Sequence, residues 1–274
     1  VALNTSGSTG NAEVNNGTTA LIIGVSTVGG NLTLTSGAAA GIIDSDNVTV
    51  TGNLIATTNA NSGVINMGTL RVDGTMALTT DGDGDATIVN DDDINFATSI
   101  VRGDLTATAT TSNITDTGTL TITGESTFIT RVNGSDIELD TSDNAFADAV
   151  TMKAETNGSE AFGDITFVDS GGAVNFNSSG SSDGDLNINA SSTNGAVGGN
   201  LSITATGHIT QNVAVNIGGT TTLDVGNSKD ITLANASNRF TGAITISAAR
   251  NIDLGATGDM ILGPSIVSGT FAIT

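Results

Sequence analysis

Along most of the chain, apolar and polar residues alternate in short bursts. NLTLT (31–35), NLIAT (53–57), TMALT (75–79), DLTAT (104–108), DITFV (164–168), NLSIT (200–204) and TFAIT (270–274) each place an aliphatic residue, Phe or Met at alternate positions, with Thr, Ser, Asn or Ala between. Period-two alternation over four to six residues predicts β-strands with one face buried and the other in solvent. A glycine precedes each burst: Gly30, Gly52, Gly74, Gly103, Gly163, Gly184, Gly199, Gly219, Gly242 and Gly269. Such glycines are expected at corners, where the chain bends sharply and often needs φ > 0.

Many of these bursts recur every 20–23 residues, with longer gaps of 27 and 29 and one of 15. A longer interval overlies the short one. GTLRVDG (68–74) returns as GTLTITG (118–124), fifty residues on. Around Gly124, the positions Ile114, Leu120, Ile122 and Phe128 match Val64, Leu70, Val72 and Leu78. They also match Val14, Ala20, Ile22 and Val28 further back, and Ile209, Val215, Ile217 and Leu223 about ninety-five residues forward. Phe96, Phe146 and Phe240 follow at offsets of 50 and 94.

These periods predict an all-β, parallel β-helix (β-solenoid) of about twelve coils of roughly 20–25 residues. It forms a single domain over 1–274, with irregular loops near 81–93 and 153–184. On this reading fifty residues are two coils, and the repeated phrase occupies one corner and one face. Leu70, Val72, Leu120, Ile122, Val215 and Ile217 then point inward, and Thr69, Thr119 and Thr121 outward. At ~4.8 Å per coil the rod is on the order of 55–60 Å long. The rival, two antiparallel sandwich domains, usually calls for Trp or Tyr in the core and Pro in the connections.

Composition favours the solenoid. The chain has no Trp, Tyr or Cys, one Pro, one His and eight Phe, against 36 Gly, and 37% of it is hydrophobic. That core is thin and aliphatic. There are 28 acidic residues against seven basic ones, a formal charge of −21. So few cations cannot form the phosphate-neutralising stripe of a nucleic-acid binder, and no apolar run approaches the ~18 residues of a membrane span. The expected partners therefore exclude nucleic acid and membrane insertion. Without cysteine there are no disulfides or thiolate metal sites. The acid excess is expected to be a solvated surface.

DITLANASNRFTGAITI (230–246), NIDLGATGDMILGPSIVSGTFAIT (251–274) and ITATGHITQN (203–212) resemble repeats of large bacterial surface exoproteins of the filamentous-haemagglutinin and adhesin type. The resemblance covers about 199–274, with weaker phrasing at 117–152. It implies a right-handed parallel β-helix, displayed extracellularly or at the cell surface, with an adhesive or architectural role. That family's Asn-Pro-containing secretion motifs do not occur here, so the resemblance is to repeat-region material.

The sharpest local chemistry is DGDGDATIVNDDD (81–93). Asp81, Asp83, Asp85, Asp91 and Asp93 are candidate oxygen ligands for calcium, although the bidentate Glu of a helix–loop–helix site is missing. The competing reading is a solvated acidic excursion from an over-long coil, and no other cofactor is implied. SSDGDLN (181–187) is a lesser version. A polysaccharide lyase or hydrolase is the alternative function. A lyase base would come from Arg131 with Lys153, or Lys229 with Arg250, pairs spaced for adjacent coils. A hydrolase would need two carboxylates about 5–10 Å apart. His208 lacks a nucleophile context and reads as a surface residue. Sequons at Asn31, Asn47, Asn113, Asn157 and Asn200 are only mildly enriched. Thr-X-Thr pairs such as Thr106/Thr108 are too interrupted for an ice-binding face. The expected function is structural or adhesive: a filament or surface rod built by end-to-end stacking with copies of itself. Surface glycans or host matrix are candidate further partners.

Overall fold

The computed structural model describes residues 1–154, 162–178, 182, 184–190, 193–194 and 196–274. Among them every regular element is a β-strand, and the chain winds as a parallel β-solenoid of about 11 turns. The count falls short of twelve because one turn is long: corner residues Asp164 and Asn200, bonded across adjacent coils, are 36 residues apart. In that turn Asp185–Ala190 is inserted as an extra strand, pairing with Val150–Ala154 on one side and Val174–Phe176 on the other. The sequon Asn157 and residues 181 and 183 of SSDGDLN lie outside the described residues.

Two large sheets, of 15 and 16 strands, form opposing sides of each coil. One side is straight and the other bent. Leu32–Ser36, Leu54–Thr58 and Thr75–Thr79 are five-residue strands of the 15-stranded sheet. Across from them, the 16-stranded sheet turns a bend between Leu21–Ile23 and Ser26–Val28, and again between Ile42–Asp44 and Val48–Val50. Then the roles exchange. From Ala86–Asn90 through Leu105–Ala109, Ser126–Thr130 and Val150–Ala154, the 16-stranded sheet is straight. The 15-stranded sheet now bends, between Ile94–Phe96 and Ser99–Val101 and between Ile114–Asp116 and Leu120–Ile122. At Ile165–Asp169, Leu201–Ala205 and Thr221–Asp224 the 15-stranded sheet is straight again.

This exchange corrects the fifty-residue reading. Gly74 opens Thr75–Thr79 in the 15-stranded sheet, whereas Gly124 opens Ser126–Thr130 in the 16-stranded one. The two phrases lie on opposite sides of the solenoid and do not share a corner. The earliest copy shifts too: Val72 stacks on Val50, which stacks on Val28, while Ile22 points outward and is 50% exposed between buried Leu21 and Ile23. The local register nonetheless holds. Leu70, Val72, Leu120, Ile122, Val215 and Ile217 are buried, Thr69 and Thr121 are exposed and Thr119 is half-buried.

The core continues from coil to coil. Leu32 stacks on Leu54, Ile42 on Ile65 and Leu233 on Leu254. Rings enter from Phe96 onward. Phe96, Phe128 and Phe146 meet edge-on at 6.3 and 6.1 Å, and Phe167 lies 5.1 Å beyond Phe146. Asn90, Asn144 and Asn238 sit fully buried at bends, where each Oδ1 accepts a backbone N–H of the neighbouring coil, from Val72, Leu120 and Val215. A backbone group buried in a bend costs stability unless it is paired, and these amides supply the partner.

Candidate functional site

At the corners, a polar residue, in most coils the one after a glycine, forms a ladder along the axis. Its side-chain oxygen accepts the backbone N–H of the equivalent residue one coil on. Asn11 accepts from Asn31, Asn31 from Asn53 and Asn53 from Thr75, at 2.8–2.9 Å. A second run goes Asp85, Asp104, Glu125, with both bonds at 2.9 Å. The third passes Asn113, Asp136, Asp164, Asn200 and Thr220. The fourth runs His208, Asp230, Asn251, Thr270, with the imidazole Nδ1 accepting at 3.0 Å. Each such bond contributes about 1 kcal/mol net.

The ladder explains the glycines, and it corrects the expected cause. Of the ten corner glycines only Gly184 has positive φ. Elsewhere the constraint is space: a Cβ on Gly30, Gly52, Gly74, Gly103, Gly163, Gly199 or Gly269 would sit well inside 3.0 Å of the ladder oxygen from the coil before. Glycine is present because the Asn or Asp side chain below folds into its place.

Part of the acid excess is therefore structural rather than merely solvating. Asp44 accepts from the Gly68 and Thr69 backbones at 2.9 and 2.7 Å. Asp116 accepts from Asp140 N–H and Asn144 Nδ2, while burial pushes its carboxyl above the ordinary range. Glu138 is also raised, by burial and by Asp136, Asp140 and Asp164 around it. Asp230 behaves oppositely. The Arg250 guanidinium donates to it at 2.8 and 2.6 Å and holds its carboxyl at about 2.

The calcium candidates are divided by a strand. Asp81, Asp83 and Asp85 lie in the turn before Ala86–Asn90, and Asp91 and Asp93 in the turn after it. Six residues of extended chain separate Asp85 from Asp91 by roughly 20 Å, so the two groups do not converge. Asp85 serves the corner ladder, and Asp91 accepts the Thr110 hydroxyl at 2.9 Å. The Asp93 carboxyl is raised, first by its hydrogen bond with Asp92 and then by burial. Among the described residues no group of three or more His, Cys, Asp or Glu is placed to hold a metal ion.

Of the two basic pairs, one comes together and the other does not. Lys229 and Arg250 are neighbours on adjacent coils, where the Arg250 N–H donates to the Lys229 carbonyl at 2.6 Å. Lys153 instead stacks on Ile129, two residues from Arg131. His208 is about half exposed, and its ladder bond was not foreseen.

What the solenoid does offer is a ledge where the bent coils give way to straight ones. Ile65–Val72 bulges at Gly68 and Thr69, while Ala86–Asn90 above it has no counterpart, and the pairing slips between Ile88 and Asn90. The step leaves an open cavity of about 300 Å³ between Asn47, Thr49, Thr69 and Arg71 below and Val89, Asp91 and Thr110 above. Arg71 is pinned between Asp92 at 3.1 Å and Asp73 at 3.5 Å. No local motif announces this site, because it arises from stacking two coil shapes.

Coil upon coil of one short phrase, with ladders inside and out, defines a β-solenoid repeat protein. The chain belongs to the family described as repeats of unknown function (DUF5649), whose model matches residues 83–153 and 163–247, together more than half of the chain. The two stretches follow the two coil shapes on either side of the second exchange. No curated protein and no solved structure matches the chain.

Proposed function

We propose that the protein is a structural rod of the cell surface or extracellular space, building filaments by end-to-end stacking of its coils. The observation that carries this reading is the apolar face of the coil Ile261–Val267 and Phe271–Ile273, with the straight side returned by two exchanges to the sheet that holds it at Ala12–Asn15. The two coils differ in detail: Ala243–Ala249 and Ile261–Val267 are seven-residue strands whose pairing shifts twice, whereas Ala12–Asn15 pairs with Leu32–Ser36 in unbroken register. The face of Ile261–Val267 and Phe271–Ile273 has the shape to receive a further coil, whether of a continuing chain or of another copy. Leu262 stands over buried Ile244, and Phe271 over Ile252, yet Leu262 is 44% and Phe271 38% exposed. Ile261, Ile266 and Ile273 are exposed with them. Pro264 removes one donor from the edge of Ile261–Val267, so strand pairing there rests on the residues to either side of it and on Phe271–Ile273, and a head-to-tail contact that does not close generates a filament. The adhesin-like phrasing of 199–274 agrees with an exported location and adhesive role.

Sedimentation and negative-stain imaging test this at near-physiological salt, where the −21 charge is screened. The expected result is linear species that grow with concentration. Ile266→Lys with Phe271→Glu should return them to single units. A parent protein that stays monomeric at high concentration overturns the proposal.

A further inference from the structure

We infer that the ledge beside the first exchange of coil shape binds a neutral sugar unit, one or two rings of a glycan. Its chemistry selects against the other small-ligand classes. Asp73, Asp91 and Asp92 surround the one guanidinium of Arg71, so the field disfavours phosphates, uronates and other anions. A purely apolar ligand would leave the Thr49, Thr69, Arg71, Asp91 and Thr110 polar groups around Leu70 and Val89 unmatched, whereas a sugar ring has both a C–H face and hydroxyls to meet them. A peptide cannot add as a strand, because Ile65–Val72 and Ala86–Asn90 are already paired with coils on both sides.

What converges on the ledge is a mixed set of donors and acceptors. The Thr110 hydroxyl occupies Asp91 Oδ1, leaving Oδ2 to accept from a ligand. The Thr69 hydroxyl donates to Asp44, which leaves its oxygen able to accept a hydrogen bond. The Asn47 side-chain amide has no protein partner among the described residues, and Arg71 keeps donors beyond those used by Asp73 and Asp92. A carboxylate acceptor beside guanidinium and amide donors matches the paired hydroxyls of a sugar, each of which both gives and receives a hydrogen bond. Val89 offers a small apolar surface to the ring's C–H face. The volume, at the lower end of ligand pockets, admits a ring or two.

Saturation-transfer NMR on the full chain, with the methyl glycosides of glucose, galactose, mannose and N-acetylglucosamine as probes, tests the inference. At least one should receive transfer, with a dissociation constant of about 1 mM, as expected for a ligand so small. Asp91→Ala and Arg71→Ala, both at exposed positions, should each weaken it about tenfold. Thr245→Ala, on the other sheet, should leave it unchanged, and circular dichroism should match the parent throughout. Absence of transfer to all four probes, or transfer undiminished in both ledge variants, overturns the inference. Neither result bears on filament formation, which sedimentation reads separately.

Discussion

Residues 21–79 and residues 86–154 wind the same kind of coil with its two sides exchanged. In the first stretch the straight strands lie in the 15-stranded sheet, and in the second they lie in the 16-stranded sheet. Neighbouring coils bond through backbone register, which does not depend on which side is straight. A corner phrase of glycine, a polar residue and then alternating residues opens most of the straight sides, as at Gly52, Gly103, Gly124 and Gly199, although Val150–Ala154 is straight without the glycine. At the exchange both sides carry such a phrase, Gly74 before Thr75–Thr79 and Gly84 before Ala86–Asn90, and the next corner on the first side, Asp93 before Ile94, lacks the glycine. The exchange thus needs no special segment, only a phrase written half a coil early.

The cores differ as well, and the largest expected effect tests that difference. The first stretch is filled by aliphatics and Met, whereas the second centres on Phe128, packed edge-on between Phe96 and Phe146. Phe128→Ala should cost about 3–5 kcal/mol in chemical denaturation, because rings from two other coil sides line the space it leaves. Ile88→Val, at the aliphatic border of the exchange, should cost about 0.5–1.5 kcal/mol. Equal losses at the two positions would mean that the ring stack is no more tightly packed than the aliphatic columns.

The twin phrases GTLRVDG and GTLTITG allow a finer test, since their first glycines have opposite surroundings. A Cβ on Gly68 meets nothing within 4 Å, whereas one on Gly118 would press on the Thr98 backbone and hydroxyl. Gly68→Ala should therefore change stability by less than about 0.5 kcal/mol, and Gly118→Ala should cost about 1–3 kcal/mol through overpacking. Equal effects would return the two phrases to equivalent corners, as the sequence alone suggests.

The sequence revealed strand positions and inward faces because alternation is local, and each burst carries its own register. Leu70, Ile122 and Val215 are legible from two or three neighbours on either side. The exchange of sides was not legible: a corner phrase shows that a straight strand follows, not which sheet receives it. Fifty residues could therefore pass for two coils. The ladder left a signal in the Asn or Asp after so many glycines, but its meaning needs the oxygen of the coil below. Asn144 and Asn238 likewise stand two residues before the aligned Phe146 and Phe240. The ledge left none, since Thr69 and Asp91 become neighbours only when a bent coil meets a straight one.

The smallest expected effect compares two carboxylates at corners of different coils. Asp230 stands in the last ladder, where Arg250 holds its carboxyl at about 2, below the ordinary aspartate range. A depressed carboxylate pKa means that the unfolded chain binds the proton more readily, so this contact stabilises the fold fully above about 4 and fades as pH falls towards 2. Asp116 is displaced the other way by burial, so the folded state takes up its proton first and acid favours the fold at that site. Asp230→Asn keeps an oxygen for the Asn251 N–H but loses the charge that faces Arg250. Its melting temperature should lie slightly below the parent's at pH 6, and the gap should close as pH falls from about 4 towards 2. The exposed pair limits the size of the effect, and added salt should shrink it further. A gap that persists unchanged at pH 2 would place the role of Asp230 in ladder geometry rather than in its charge.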